Sequence, residues 1–199
     1  MDESFWRKVL FSDESYISIF SGKPVYARKP LGARFIANCV SQAPKHPLSV
    51  MIWGCFSYHG LGRIMVVNGT MKSKDYILCL ERKMITSAKD LFRNEPFVFQ
   101  DDSAPCHRSK LVKEWHKTHG TEQLEWPGNS PDLNPIENLW AILKQKVHQK
   151  SPKNREELIS AIVRSWYHEI SAETCQNLVK SMKERLRSVI LAQGGHIKY

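Results

Sequence analysis

Apolar residues change their spacing along the chain, and the change divides it into regions. In "KVLFSDESYISIF" (Lys8–Phe20) β-forming residues stand on both sides of the polar "SDES". This pattern predicts a strand, a tight polar turn or bulge, and a second strand. Residues 21–47 show almost no periodicity; prolines, glycines and basic residues predict a long loop or arm, and loops of that length in a domain are usually functional. "LSVMIWGCFS" and "GRIMVVNG" read as a hairpin closed through "YHGLG" (Tyr58–Gly62).

From Lys72 to Phe92 the period becomes helical, with Ile77, Leu80, Met84, Ala88 and Leu91 on one face. "PFVFQ" predicts a short buried strand and "QLEW" another. Between them His107–Lys117 predicts a helix packed through Leu111, Val112 and Trp115. Ile136, Leu139, Trp140, Leu143 and Val147 form a further helical stripe. Two more helices are expected, Asn154–His168 and Ala172–Ile190, the second using Cys175, Leu178, Val179, Met182, Leu186 and Val189. Strands come first, then β-α alternation, then helices, which predicts an α/β layered domain with a mixed sheet.

Composition narrows the class. A chain of 199 residues with 42% hydrophobic residues can bury one core but hardly two, so residues 1–199 are read as a single domain. No apolar run is long enough to cross a membrane, and the first residues lack the pattern of a secretion signal. Cys39, Cys55, Cys79, Cys106 and Cys175 are scattered without a C-x-x-C pair and are read as reduced thiols of a cytosolic or nuclear protein.

Charge adds a partner class. The net charge is +9, and no acid occurs from Ser15 to Lys74, a window that holds Lys23, Arg28, Lys29, Arg34, Lys45, Arg63, Lys72 and Lys74. An uninterrupted basic face suits a polyanion such as nucleic acid, although a basic surface that serves only solubility would have the same composition.

Against this background a few acids stand at predicted element ends: Asp13 after "VLFS", Asp101 and Asp102 after "FVFQ", and Glu137 in the first turn of a helix. Carboxylates meeting at strand ends would bind hard divalent cations through oxygen, and two such ions suit phosphoryl transfer. Each acid also has a purely structural reading. Asp13 could hold a turn, and Asp101 or Asp102 could cap the next loop. With Asn134 as N-cap and Pro135 at the first helical position, Glu137 occupies a capping-box position.

Four blocks, in this order, make the sequence more specific: "VLFSDES", "VMIWGCFSYHGLG", "FVFQDDSAPCH" and "WPGNSPDLNPIENLW". Together they resemble the catalytic domain of Tc/mariner DNA transposases, over about Trp6 to Trp166. The resemblance implies an RNase H-like fold, a central mixed sheet flanked by helices, with a basic clamp-like arm at 22–47 and C-terminal helices over 151–199. It implies an acidic triad of Asp13, Asp102 and Glu137 holding two Mg²⁺ or Mn²⁺ ions. Ala104, Pro105 and His107 set the register that selects Asp102, with Ser103 where the family usually has asparagine. The residues 103–136 between Asp102 and Glu137 number 34, the spacing of the family's Asp-Asp-Glu branch.

The implied activity is DNA strand cleavage and strand transfer into TA target sites by a protein that is dimeric on DNA and resides in the nucleus. Lys23, Arg28, Lys29, Arg34 and Lys45 of the arm are the expected DNA contacts. Family members usually carry a paired helix-turn-helix region ahead of this domain, and the expectation here is a catalytic domain without it. Pro47-Leu48 follows Lys45-His46 where the family often has glycines. Two readings of other kinds stay open at this point: a truncated or domesticated DNA-binding module without activity, and a stand-alone nuclease of the same fold.

The side-chain alternation "VFQDD" separates the two neighbouring acids. Val98, Gln100 and Asp102 share one face, and Phe97, Phe99 and Asp101 share the other, which makes Asp101 a supporting or surface charge.

Overall fold

The computed structural model describes residues 2–19, 48–128 and 130–195. The arm at 22–47, with Lys23, Arg28, Lys29, Arg34 and Lys45, lies outside them, as does Cys39. Among the described residues no helix is long and apolar enough to cross a membrane. The described cysteines are free thiols.

A four-stranded sheet organises the molecule, with its strands in the order Gly60–Val67, Ser49–Ser57, Val9–Ser18 and Val98–Gln100 across it. β1 (Val9–Ser18) pairs antiparallel with β2 (Ser49–Ser57), which pairs antiparallel with β3 (Gly60–Val67). β4 (Val98–Gln100) lies parallel to β1, pairing with it from Val9 to Phe11. The hairpin falls where its sequence predicts, closed by Tyr58 and His59. "SDES" neither turns nor bulges: Val9–Ser18 is one strand, because β2 supplies partners along its length from Phe11 to Ser18. "QLEW" reduces to one parallel bridge between Phe99 and Gln123.

Strand alternation gives the sheet two apolar faces, each with its own helical layer. Val9, Phe11, Val50, Ile52, Phe56 and Val98 face one core. It is covered by α5 (Ile136–Gln149), α6 (Arg155–Glu169) and α7 (Ala172–Lys180). Leu10, Trp53, Cys55 and Phe99 face the other, covered by α2 (Ser73–Cys79), α3 (Ile85–Phe92) and α4 (Lys110–Thr118). Trp53, Trp140 and Trp166 are among the largest fully buried side chains. Each such ring hides about 150–250 Å², worth roughly 4–6 kcal/mol as an upper bound. The short α1 (Glu3–Trp6) packs Trp6 on Phe11.

Three helical expectations need correction. The stretch Lys72–Phe92 is interrupted by a π-helical turn, Leu80–Met84. The wider turn shifts the buried face, so Tyr76, Cys79, Leu80, Met84, Ala88 and Phe92 are buried while Ile77 and Leu91 are half-buried. In α4 Val112 and Trp115 are buried, but Leu111 is exposed, since the helix starts at Lys110 and Leu111 faces outward in its first turn. The last helix is two: α7 ends at Lys180, Ser181 caps it, and α8 (Met182–Leu191) begins after it, with Ser181 Oγ donating to Leu178 O.

Candidate active site

Asp13 is not at the end of its own strand. β4 leaves β1 at Phe11, so Asp13 stands just beyond the C-terminal edge of the parallel β1/β4 pair. That edge is where ligand sites form in α/β sheets. Ser12 strengthens the seam: its Oγ donates to Gln100 O at 2.9 Å, and its N–H donates to Gln100 Oε1 at 3.3 Å. Beyond the seam opens a cleft of about 550 Å³, and Asp13, Asp102 and Glu137 all line it. Three elements far apart in sequence thus deliver one acid each: β1, the turn after β4, and the first turn of α5.

Alternation along β1 gives Asp13 and Glu14 different surroundings. Asp13 faces the α5 layer, where the Trp140 indole N–H donates to its Oδ2 at 3.2 Å. Burial, with the charges of Glu14 and Glu137 adding to it, raises the Asp13 carboxyl to about 8. Glu14 faces the α2/α4 layer, 3.2 Å from His107 Nε2.

His107 is the hinge of the second acid. Its Nδ1 lies 2.7 Å from Asp102 Oδ1, and its ring stacks on Tyr76 with centroids 3.9 Å apart. Burial alone would lower its pKa, but Asp102 and Glu14 prevail and lift it to about 11, so the ring is a cation held between two carboxylates. The His107 contact, helped by the Ala104 N–H at 2.9 Å, keeps Asp102 below the usual carboxylate range. Both contacts fall on Oδ1.

Asp101 points to the opposite face, as the alternation predicts, but it is not a surface charge. It is 1% exposed, accepts a hydrogen bond from the Tyr76 hydroxyl at 2.9 Å, and pairs with Arg108 at 3.6 Å. Burial raises its carboxyl, with His107, Tyr76 and Arg108 opposing the rise.

The loop from Trp126 brings Glu137 to the cleft. Asn134 is buried; its Oδ1 accepts from the Ile136 N–H at 3.3 Å, and its amide reaches Ser12 O at 3.5 Å. Pro135 rather than Asn134 takes the cap position, so Glu137 sits one place earlier in the helix than a capping box requires. No capping hydrogen bond from its side chain is present among the described residues. Partial burial raises the Glu137 carboxyl, and Lys144 opposes it. Arg185 on α8 anchors the same loop, donating to Asp132 O at 2.8 Å and to Asn138 Oδ1 at 2.6 Å.

Sequence reading did not single out Glu14, Tyr76, Trp140 or Arg185 for the site. Two of them had a signal. Glu14 must face away from Asp13 along a strand, and Trp140 lies one helical turn beyond Glu137. Tyr76 and Arg185 come from helices whose place depends on long-range packing. Among the described residues no three His, Cys, Asp or Glu side chains are gathered closely enough to enclose a metal ion. The three acids share a cleft without closing on one point. Their donor set, carboxylate oxygen throughout, nevertheless fits a hard divalent cation, and the charged groups that act on Asp13, whose carboxyl is raised chiefly by burial, are the acids Glu14 and Glu137.

Residues 8–159 match the family of DDE superfamily endonucleases. The transposase of the transposable element Tcb2 from Caenorhabditis briggsae is 34% identical over 196 residues, covering 98% of this chain and 71% of that protein. Among solved structures, the Mos1 transposase paired-end complex with the left transposon end has a TM-score of 0.84 at 18% identity. That match covers 98% of this chain and 58% of the Mos1 chain, so the chain spans little more than half of it. The Mos1 catalytic domain, in a structure with raltegravir and Mg, gives 0.74 at 17% identity, covering 98% of this chain and 88% of that one. The fold is therefore that of the RNase H-like transposase catalytic domain, and the chain belongs to the DDE superfamily endonucleases, among transposases of the Tc/mariner group.

Proposed function

We propose that this chain cleaves DNA strands at transposon ends and joins the freed 3′ ends to target DNA, with Asp13, Asp102 and Glu137 as its catalytic acids. The observation that carries the reading is their convergence, from three separate elements, on one cleft. Tcb2 is named a transposase, and Mos1 has been captured with a transposon end and, as a catalytic domain, with Mg. Those facts support DNA as substrate and Mg²⁺ or Mn²⁺ as cofactor here.

The three carboxylates would hold the ions, two in this reading. Bound there, divalent cations supply charge stabilisation and a nucleophilic oxygen for in-line displacement at phosphorus. The chain's own groups fix the acids. Trp140 engages one oxygen of Asp13, and His107 engages one oxygen of Asp102. Asn134 and Arg185 set the loop from which Glu137 enters its helix. The cleft's lining, including Ala104, Pro105, Trp126 and Pro131, is partly apolar and could pack against the sugar face of a nucleic-acid strand.

Further elements of the reading extend to the arm and the assembly. Lys23, Arg28, Lys29, Arg34 and Lys45 contact DNA phosphates, the protein acts as a homodimer on DNA in the nucleus, and the target is a TA dinucleotide. A strand-transfer assay with a precleaved transposon end and Mn²⁺ tests the core of it. Joined product is expected from the parent chain and none from Asp13→Asn, Asp102→Asn or Glu137→Gln. DNA binding without joined product, under conditions where the protein is folded and metal-loaded, would support a non-catalytic DNA-binding module instead.

A further inference from the structure

Asp13 on β1 pairs in register with Gly54 on β2. Gly54 faces the α5 layer and leaves a slot there. A Cβ at this position would stand 2.7 Å from Trp140 Cη2, 3.2 Å from Ile64 Cγ2 and 3.3 Å from Trp166 Cη2. Real Cβ atoms do not tolerate the first contact, so the indole lies where only glycine lets it lie. Trp140 is fully buried, one turn after Glu137 on α5, and its ring is tilted on Trp166 with centroids 5.4 Å apart. Trp166 is itself fixed, its indole N–H donating to Gly62 O at 2.9 Å.

Buried tryptophans usually give their N–H a partner, most often on the backbone; in this chain Trp6 and Trp53 have none among the described residues. Trp166 follows that pattern. Trp140 instead donates to Asp13 Oδ2. We propose that Trp140 is a positioning residue for Asp13: its indole, seated in the Gly54 slot, holds Oδ2 and so sets the direction in which the carboxylate presents its other oxygen to the cleft. The inference rests on the reading of Asp13 as a member of the divalent-cation site. One helix then couples two acids, carrying Glu137 itself and orienting Asp13 through Trp140.

Trp166 supplies an internal control, since both rings are buried in the same layer and both donate an indole N–H. The experiment compares Trp140→Phe with Trp166→Phe by Mn²⁺ titration in a calorimeter and by thermal unfolding. Comparable losses of melting temperature are expected from the two. A loss of Mn²⁺ affinity of about tenfold or more is expected from Trp140→Phe alone, as for other groups that orient metal ligands. Parental Mn²⁺ affinity in Trp140→Phe, or an equal loss in Trp166→Phe, would overturn the proposal. Asp13→Asn separates the two levels: if it binds Mn²⁺ like the parent, the reading of Asp13 fails, whatever Trp140 does.

Should Trp140→Phe not fold, the indole ¹⁵N–¹H resonances of the parent chain provide the second measurement. The Trp140 signal is expected to move in Asp13→Asn and on addition of Mg²⁺, while the Trp166 signal stays in place. An unmoved Trp140 signal in folded Asp13→Asn would equally overturn the assignment.

Discussion

Asp101 and Asp102, adjacent in the chain, occupy opposite faces of it: the first is buried beneath Tyr76 and the second lines the cleft with Asp13 and Glu137. Both lie just beyond β4, where Asp101 accepts from the Tyr76 hydroxyl and Asp102 meets His107. Asp101→Asn keeps an acceptor for the Tyr76 hydroxyl and removes no oxygen from the cleft, so near-parental Mn²⁺-dependent cleavage is expected. Asp102→Asn is expected to lower cleavage by at least about 100-fold, the scale of losing one preorganised electrostatic group. Single-turnover cleavage of a labelled duplex measures both, and a reversed order would mean that Asp101 is the catalytic acid.

The metal-free site should strain the fold as pH rises. Asp13 has a folded-state pKa raised to about 8 from 3.8. Between those values the folded state binds more protons than the unfolded one, so this group's contribution to stability falls as pH increases and levels off above about 8. Asp13→Asn is therefore expected to melt higher than the parent in EDTA, by a margin that grows from pH 4 to pH 8. Mn²⁺ should stabilise the parent and not the variant. A variant that melts no higher at pH 8 in EDTA would contradict the burial argument.

His116 gives the opposite slope. It is 3% exposed beside Phe99 and Trp115, and neither ring nitrogen has a hydrogen-bond partner among the described residues. Burial lowers its pKa to about 4, with the charges of Arg108, His107 and His119 acting in the same direction. The unfolded state then binds the extra proton between about 6.5 and 4, and stability is lost as pH falls through that window. One proton corresponds to at most about 1.4 kcal/mol per pH unit. His116→Leu is expected to flatten this acid limb while leaving stability at pH 7.5 little changed. Urea unfolding across the range is the check, and an unchanged slope would count against a neutral buried ring.

Arg185 joins α8 to the loop that delivers Glu137. Its three nitrogens engage Ser181 Oγ, Asp132 O and Asn138 Oδ1 in a fork that an ammonium cannot reproduce. Arg185→Lys is expected to cost about 1 kcal/mol in urea unfolding, since it leaves partly buried acceptors short of a donor. Unaltered stability would show that the loop is held by Asn134 alone.

Much of this architecture is legible along the chain. The hairpin at Ser49–Val67, the stripe of α5 and the apolar face of α6 all appear as periodicities, because each buries a face whose spacing is set by local geometry. The separation of Asp101 from Asp102 is local too. The four motif blocks identified the family, and with it the acids expected to meet.

Other features depend on partners distant in sequence. Val9–Ser18 stays one strand through its polar "SDES" because β2 pairs beyond the point where β4 departs, and that same mismatch of strand lengths exposes Asp13 at the edge of the cleft. "QLEW" lost its strand for want of more than one bridge to Phe99. His107 becomes a cation only where Glu14, 93 residues away, meets Asp102 across a buried ring. Trp140 reaches Asp13 only because Gly54 faces it across the sheet. Periodicity reports which face of an element is buried; the charge state and orientation of a side chain are set by what packs against that face, and tertiary structure alone decides this.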